Sequence, residues 1–434
     1  MGTLPFSILA AVTAAILFVT PCLAGEGDGL SGRTIVEVRL SGLKYTRDDL
    51  VRDSLVSRVG GPYRPETTIR DKERLDRLGI FSSIEVHPRP QNGGVLLEYD
   101  LKETFPYLPV ITADITDADG LTIGPGVKAV NLFGRGISFS GAARFGQAKT
   151  LELRLENPWL PGGHFIYKGD AWYRDRFNEL DEFNENSLEV DVYLGRTFGR
   201  HSRAGLHLAY LVMESDEDGI TLSDDNVDNL RSVGFFLGYD NRDSWSMPHR
   251  GWWTEFDVRR TGGPLGGDGD WWRFILDVRH YQPLRPRHTL GLFAYTALQT
   301  GTVGEDIPEY MDYNIGGTNS VRGWDLGARE NKNELIGMAE YRWVVREPRS
   351  FDILGATFHL GFETALFGDV GMVWEDEEGF RSDNVIAGGG IGFRLLLPFV
   401  RVVRFDVAYG QSGSRLNLHI GAYEKAEKQR ERIR

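Results

Sequence analysis

The sequence predicts a mainly β protein, in which a sixteen-stranded transmembrane β-barrel follows one small α/β module. Apolar and polar residues alternate repeatedly over residues 107–423, glycine is abundant at 53 of 434 residues, and the mean hydropathy is only −0.29. Such alternation directs apolar side chains to lipid and polar ones to a lumen, which keeps the mean hydropathy low. The single long apolar run, near the N-terminus, excludes a membrane protein built from several helices.

Residues 1–24 are predicted to be a secretory signal peptide. An apolar run over 6–19 precedes Cys22 and Ala24, small residues that suit cleavage before residue 25. No Lys or Arg precedes the run, so a retained membrane anchor is the alternative. Cleavage after Ala24 removes the only cysteine, and with it any disulfide or thiolate metal site. Residues 25–32 would then form a short linker.

Residues 33–103 predict a module of order β-α-α-β-β. Thr46 is a candidate N-cap for the first helix, because its hydroxyl can accept an N–H group of the first turn. Gly79 is a natural stop for the second helix. The module is predicted to contain a strand at 33–40, helices over 46–55 and 65–78, and strands at 80–88 and 94–103.

Residues 104–423 predict the barrel, and residues 424–434 a polar C-terminal tail. A soluble β-sandwich would show the same alternation, so the number and spacing of the strands have to distinguish a sandwich from a barrel. An even number of strands of about 9–11 residues suits a closed barrel, because lipid offers no hydrogen bonds to an open sheet edge. The strands are predicted at 107–115, 121–131, 135–145, 149–156, 163–174, 187–198, 202–213, 229–240, 250–261, 270–281, 287–299, 334–345, 357–374, 384–396, 399–410 and 414–423.

The net charge limits the class of binding partner, and the charges of the connections suggest how the barrel is oriented in the membrane. The net charge of −13 disfavours a nucleic-acid partner, whose binding requires a basic surface. Connections after odd-numbered strands tend to be acidic, and those after even-numbered strands tend to be short and basic. If the N-terminal module is periplasmic, the acidic connections face outward.

The longest connection, residues 300–333, is the candidate functional segment. A loop of more than thirty residues between regular strands is usually functional. It contains Ile315, Val321 and Trp324, whose exposure to water would be unfavourable. On residue chemistry alone, Arg322 could equally be a solvated loop residue.

Three groups of residues carry a resemblance to a known family. Residues 316–324 read GGTNSVRGW, similar to a loop motif GG-x-x-S-[VL]-R-G-[FYW]; residues 337–340 and 367–371 are similar to two barrel-wall motifs; and residues 78–84 are similar to a POTRA domain. Together they resemble the BamA/TamA outer-membrane assembly superfamily, here as a short member with one POTRA module. The candidate loop residues are Gly316, Gly317, Ser320, Val321, Arg322, Gly323 and Trp324, and the candidate wall residues are Gly337, Glu340, Phe367, Asp369 and Gly371.

The resemblance implies that Arg322 reaches back into the barrel, pairs with Asp369 and lies near Glu340. It implies a bacterial outer-membrane location with the POTRA domain in the periplasm. Unfolded client polypeptides would add a strand to the exposed POTRA sheet edge and would be inserted or transported at a seam between the first and last strands. No nucleotide or other cofactor is implied. A periplasmic accessory protein is a further expected partner, although one POTRA module leaves little surface for it.

Other functions stay open at this point. A barrel of the same fold could export or anchor a dedicated partner or a lipid without inserting proteins, and a plain diffusion pore is a third hypothesis. An enzyme is not predicted: residues 124–129 match G-x-G-x-x-A but lie within a strand, and the sequence has neither H-E-x-x-H nor G-x-S-x-G.

Overall fold

The computed structural model describes residues 30–423, except for residues 77, 117–118, 158–164, 200, 244–247, 354–355, 377–378, 397–401 and 411–415. The predicted signal peptide at 1–24 and the predicted tail at 424–434 lie outside the described residues and stay predictions. No helix within the described ranges is both long enough and apolar enough to cross a membrane.

The N-terminal module packs two helices against a three-stranded sheet. Its elements are β1 (Ile35–Ser41), α1 (Asp48–Ser54), α2 (Pro65–Asp76), β2 (Phe81–Gln91) and β3 (Gly94–Glu103). The central strand β3 runs parallel to β1 and antiparallel to β2. Val95, Leu97, Tyr99 and Leu101 lie on one face of β3 and form the buried core with residues of both helices. The predicted order β-α-α-β-β is therefore present.

The second unit is one antiparallel sheet of sixteen strands, as predicted. The long loop interrupts it between the eleventh and twelfth strands, which still pair with each other. The strands are β4 (Tyr107–Thr116), β5 (Gly120–Leu132), β6 (Ile137–Gly146), β7 (Ala148–Glu156), β8 (Phe165–Asn178), β9 (Phe183–Phe198), β10 (Ser202–Ser215), β11 (Val227–Asp240), β12 (Gly251–Gly262), β13 (Asp270–Arg285), β14 (His288–Gln299), β17 (Asn333–Ile353), β18 (Ala356–Trp374), β19 (Val385–Leu396), β20 (Val402–Gly410) and β21 (Leu416–Tyr423).

The sheet has an apolar outer face and a polar inner face. On β9, Leu188 and Leu194 are exposed on the outside, whereas Glu189 and Asp191 between them are buried on the inside. The two end strands, β4 and β21, lie side by side with Cα atoms within 8 Å, although no ladder joins them among the described residues. This junction of β4 and β21 is called the seam below.

Two features were not predicted. A short hairpin within the long loop pairs β15 (Tyr313–Ile315) with β16 (Arg329–Asn331). In addition, residues 346–349, predicted as a basic connection, belong to an extension of β17 that pairs with β18 as far as Ile353. The hairpin strands have three residues each, which is too short for alternation to give a signal, and register shifts between Val344 and Arg349 interrupt the pattern of the extension.

The module contacts the barrel through the loop between β1 and α1. Asn131, beside the turn that joins β5 to β6, donates from Nδ2 to Thr46 Oγ1 over 2.8 Å, and the Arg47 N–H donates to the carbonyl of Gly134 over 3.1 Å. The prediction that Thr46 caps α1 is wrong. Arg47 takes the N-cap position without a side-chain cap, because the Thr46 hydroxyl is engaged with the barrel turn.

Glu103, the last residue of β3, holds the same loop in place. Its carboxylate accepts the backbone N–H groups of Lys44, Tyr45 and Thr46 at 2.9, 3.0 and 2.7 Å. Burial alone would raise the pKa of Glu103, but these hydrogen bonds and one from the Thr46 hydroxyl stabilise the charged form and lower it overall. A second contact, the ion pair between Glu73 of α2 and Arg250, links the module to the connection between β11 and β12.

Candidate functional site

The long loop has an outer and an inner half. The outer half, residues 302–312, covers the mouth of the barrel through Ile307, Tyr310 and Met311, which are buried against neighbouring strands. Tyr310 also donates from its hydroxyl to Asp228 over 3.0 Å. We call this group the outer core. Its buried members are Phe183, Met213, Leu230, Trp271, Ile307, Tyr310 and Met311.

The inner half, residues 316–324, forms a tight turn inside the barrel. The Gly316 N–H donates to Ser320 Oγ over 2.7 Å, and the Gly317 N–H donates to the Trp324 carbonyl over 2.8 Å. Gly316 has φ +118°, and a Cβ there would lie 2.0 Å from the Asp325 carbonyl oxygen. Only glycine fits this position. Gly323 has φ +94°, and a Cβ there would lie 2.5 Å from the carbonyl carbon of Tyr409 in β20.

Apolar contacts fix the turn to the wall. Val321 is fully buried in a cluster with Ile315 and with Ile336, Val373 and Ile386 of the wall. Gly371 provides space for it, because a Cβ at that position would lie 2.6 Å from Val321 Cγ2.

Trp324 ties the end of the turn to β19. Its indole Nε1 donates to the carbonyl of Ala387 over 2.9 Å. These contacts position the one cation of the turn, Arg322, against the wall.

Arg322 is fully buried and bound by three carboxylates. Its Nε and Nη2 donate to the two oxygens of Asp369 over 2.6 and 2.8 Å, while Nη1 lies 2.8 Å from Asp406 and 2.9 Å from Glu340. The guanidinium carbon lies 3.3 Å from the ring centroid of Phe367, a cation–π stack. Bidentate pairing to a planar carboxylate requires arginine rather than lysine.

Further arginines balance the excess of negative charge. Glu340 also accepts from Arg394 at 2.8 Å and Arg342 at 3.2 Å, and Asp406 lies 3.0 Å from Arg404. Arg404 in turn donates to the Thr318 carbonyl of the turn over 3.1 Å. Four arginines thus face four carboxylates in one buried cluster, which we call the lock. Its charged members are Arg322, Glu340, Arg342, Glu363, Asp369, Arg394, Arg404 and Asp406.

Of the predicted site residues, Arg322, Glu340 and Asp369 belong to the lock, Phe367 stacks on Arg322, and Gly371 lies against Val321. A Cβ on Gly337 would approach Val370 of the neighbouring strand, so Gly337 lies in the wall and packs against β18 rather than against the turn. Asp406, Arg394 and Arg404 were not predicted, although the alternation of β20 already placed Arg404 and Asp406 on one face. Gly388 was also missed, and a Cβ there would lie 1.9 Å from the Arg322 carbonyl oxygen.

The arrangement suits mechanical fixation of the turn to the wall. Each acid of the lock is neutralised by arginine, which leaves no free carboxylate as a general base. Within the described residues, no group of three or more His, Cys, Asp or Glu side chains is placed to hold a metal ion.

Fold and site together define a class of protein: a sixteen-stranded β-barrel whose longest loop is locked onto the inner wall, preceded by a small α/β module. The Omp85 superfamily domain matches residues 131–422, and the chain belongs to this superfamily. The POTRA family, described as a surface antigen variable number repeat, matches residues 34–104. The predicted family, the barrel fold and the outer-membrane location with a periplasmic POTRA domain are confirmed.

Two curated relatives are similar over most of this chain. Outer membrane protein assembly factor BamA of Nitratidesulfovibrio vulgaris (strain Hildenborough) is 24% identical over 375 residues, which are 81% of this chain and 45% of the relative. The protein of the same name from Neisseria meningitidis serogroup B is 24% identical over 398 residues, 82% of this chain and 48% of the relative. The chain therefore spans about half the length of the curated relatives it matches.

Solved structures share the fold. BamA from Haemophilus ducreyi lacking POTRA domains 1–3 superposes with a TM-score of 0.56 at 16% identity, covering 90% of this chain and 83% of that one. CdiB from Acinetobacter baumannii gives a TM-score of 0.53 at 14% identity, with 90% and 73% covered.

Proposed function

We propose that this chain assembles or translocates polypeptides at the outer membrane, by inserting or moving them through or beside its barrel. The observation that carries the proposal is the lock. Arg322 joins Glu340 of β17, Asp369 of β18 and Asp406 of β20, so it fastens these wall strands into one block. The seam lies outside that block.

The backbone of β4 supports a weak seam. The Val130 N–H donates to the Pro106 carbonyl over 2.9 Å, and Pro106 continues the register in which Tyr107 faces Ala129. Hydrogen-bonded pairs alternate in an antiparallel ladder, so even-numbered residues of β4 bond to β5 and odd-numbered ones face the seam. Pro109 is therefore a seam residue that has no N–H group to donate. A weak seam would let client strands reach the edge of the barrel, with energy supplied by their own folding into the bilayer.

Reconstitution tests this function directly. Purified chain in liposomes is mixed with a urea-unfolded eight-stranded outer-membrane barrel protein, and folding is followed by heat-modifiable electrophoretic mobility. We expect faster folding than in empty liposomes. Pro109→Ala supplies the N–H group that the seam lacks at this position. A hydrogen bond formed by it would be worth about 0.5–1.5 kcal/mol, so the variant should slow assembly roughly two- to tenfold.

Pro125→Ala is the matched control, because Pro125 lies on the neighbouring strand β5 opposite Ile111 and away from the seam. It should leave the folding rate unchanged. Folding no faster than in empty liposomes would contradict the proposal. If depleted cells then lost one dedicated secreted protein while other barrel proteins stayed at normal levels, export by a non-insertase barrel would replace it.

A further inference from the structure

The POTRA sheet has two outer edges, and they differ in what covers them. The start of β1 is occupied by residues 60–63: the Ile35 N–H donates to the Gly61 carbonyl, and the Gly60 N–H donates to the Ile35 carbonyl, both over 2.8 Å. By contrast, β2 ends the sheet, and no strand of the described residues pairs with its outer edge. β2, with 11 residues against 7 in β1, is therefore the longer open edge for a guest strand.

The hydrogen bonds of β3 fix which residues of β2 point outward. The Val95 N–H donates to the Thr34 carbonyl over 2.9 Å, away from β2, and Val95 lies opposite Pro90. Pro90 is therefore in a non-hydrogen-bonded pair, with its backbone directed to the free edge. Because the ladder alternates, the outward-directed residues are Ile84, Val86, Pro88 and Pro90.

Two of these four positions cannot donate. Proline has no backbone N–H, so the outer edge beside Pro88 and Pro90 offers carbonyl acceptors only. A guest strand there would leave its own carbonyl groups without partners. Ile84 and Val86, in contrast, offer both an N–H and a carbonyl, which is what a complete pairing requires.

We infer that an unfolded client polypeptide pairs with the POTRA domain only along residues 81–86, and that Pro88 and Pro90 end the guest strand at that point. This inference deepens the proposed function and rests on it. A short pairing site holds a client weakly enough to be passed on to the barrel. The part of the edge at Pro88 and Pro90, which has no N–H groups to donate, is protected from pairing with other sheets.

Two exposed side chains on β2 allow a matched test. Glu85 and Arg89 lie on the same solvent-exposed face of the edge strand, on either side of the point where the site is inferred to end. A photo-crosslinking amino acid replaces one or the other in the full-length chain, in liposomes, with the same urea-unfolded barrel protein as the probe. The crosslinked yield is compared between the two positions.

We expect at least fivefold more crosslinking from position 85 than from position 89. In the double variant Pro88→Thr, Pro90→Thr, both edge donors are restored, and position 89 should crosslink as strongly as position 85. Equal yields at both positions in the unaltered edge would overturn the inference. So would the absence of crosslinks at both positions while the barrel protein still folds at the accelerated rate, an outcome that leaves the proposed function intact.

Discussion

At the scale of single residues, Arg322 determines whether the loop stays inside the barrel. A buried cation is stable only when it is paired and hydrogen-bonded, and here one guanidinium satisfies three carboxylates from three strands. Removing it leaves four carboxylates facing three arginines, and Asp369 loses both of its guanidinium hydrogen bonds. The cost therefore comes from the uncompensated acids more than from the lost contacts.

Arg322→Ala should destabilise the folded barrel by about 3–5 kcal/mol, the range for breaking a buried ion pair from one side. Arg322→Lys should have a smaller effect, since it keeps the charge but loses the bidentate geometry. The measurement is the temperature at which the folded band disappears in semi-native electrophoresis. Arg381→Ala, which removes an exposed loop arginine, is the control, and an equal temperature for both alanine variants would refute the role of the lock.

A methyl group at Gly388 should expel the turn without changing any charge. Its Cβ would lie 1.9 Å from the backbone oxygen of Arg322, whereas a Cβ added to Gly368 of β18, which faces outward, would meet no atom within 4 Å. Gly388→Ala should make the loop sensitive to added protease in intact cells, while Gly368→Ala should not. Full protease resistance of Gly388→Ala would show that the wall tolerates a shift there.

At the scale of elements, sequence reasoning succeeded where the signal is local. Sixteen strands follow from alternation, because each strand must separate lipid from lumen along its own length. The composition of the lock could be predicted only in part. Asp406 and Arg394 lie on strands far from Arg322 in sequence, and local alternation gives the face of a residue but not its depth or its distant partners. The motif resemblance supplied Asp369 and Glu340, and nothing similar pointed to β19 and β20.

The junction between the POTRA domain and the barrel should depend on pH through Glu103. The folded state lowers the pKa of Glu103, so its stabilisation is complete above the ordinary pKa of about 4.3 and is lost as the pH falls through the lowered folded value. Hydrogen exchange of the backbone amides of residues 44–46 measures how firmly the charged carboxylate holds this loop. Protection from exchange should be present at pH 7 and decline below pH ~4. In Glu103→Gln, protection should be weak at both pH values, and strong protection at pH 7 in this variant would contradict the assignment.

At the scale of the whole molecule, one loop performs two separate closures. The outer core covers the mouth of the barrel with buried apolar side chains, and the lock fills the lumen with paired charges that are almost wholly buried. The two closures use different forces. The outer core is held by burial of apolar surface, and the lock is held by ion pairs that sit too deep to be screened by salt. A barrel closed twice in this way is poorly suited to passive diffusion of solutes.

Conductance in planar bilayers separates this arrangement from a diffusion pore. The unaltered chain should give a closed baseline with rare openings, because both closures have to be lost at once for a continuous water path. Arg322→Ala should raise the frequency of openings while the outer core persists, and replacing residues 302–327 by a short glycine–serine linker should give large steady conductance. If the unaltered chain conducted as steadily as the loop replacement, the loop would not close the lumen, and the diffusion-pore hypothesis would be supported instead.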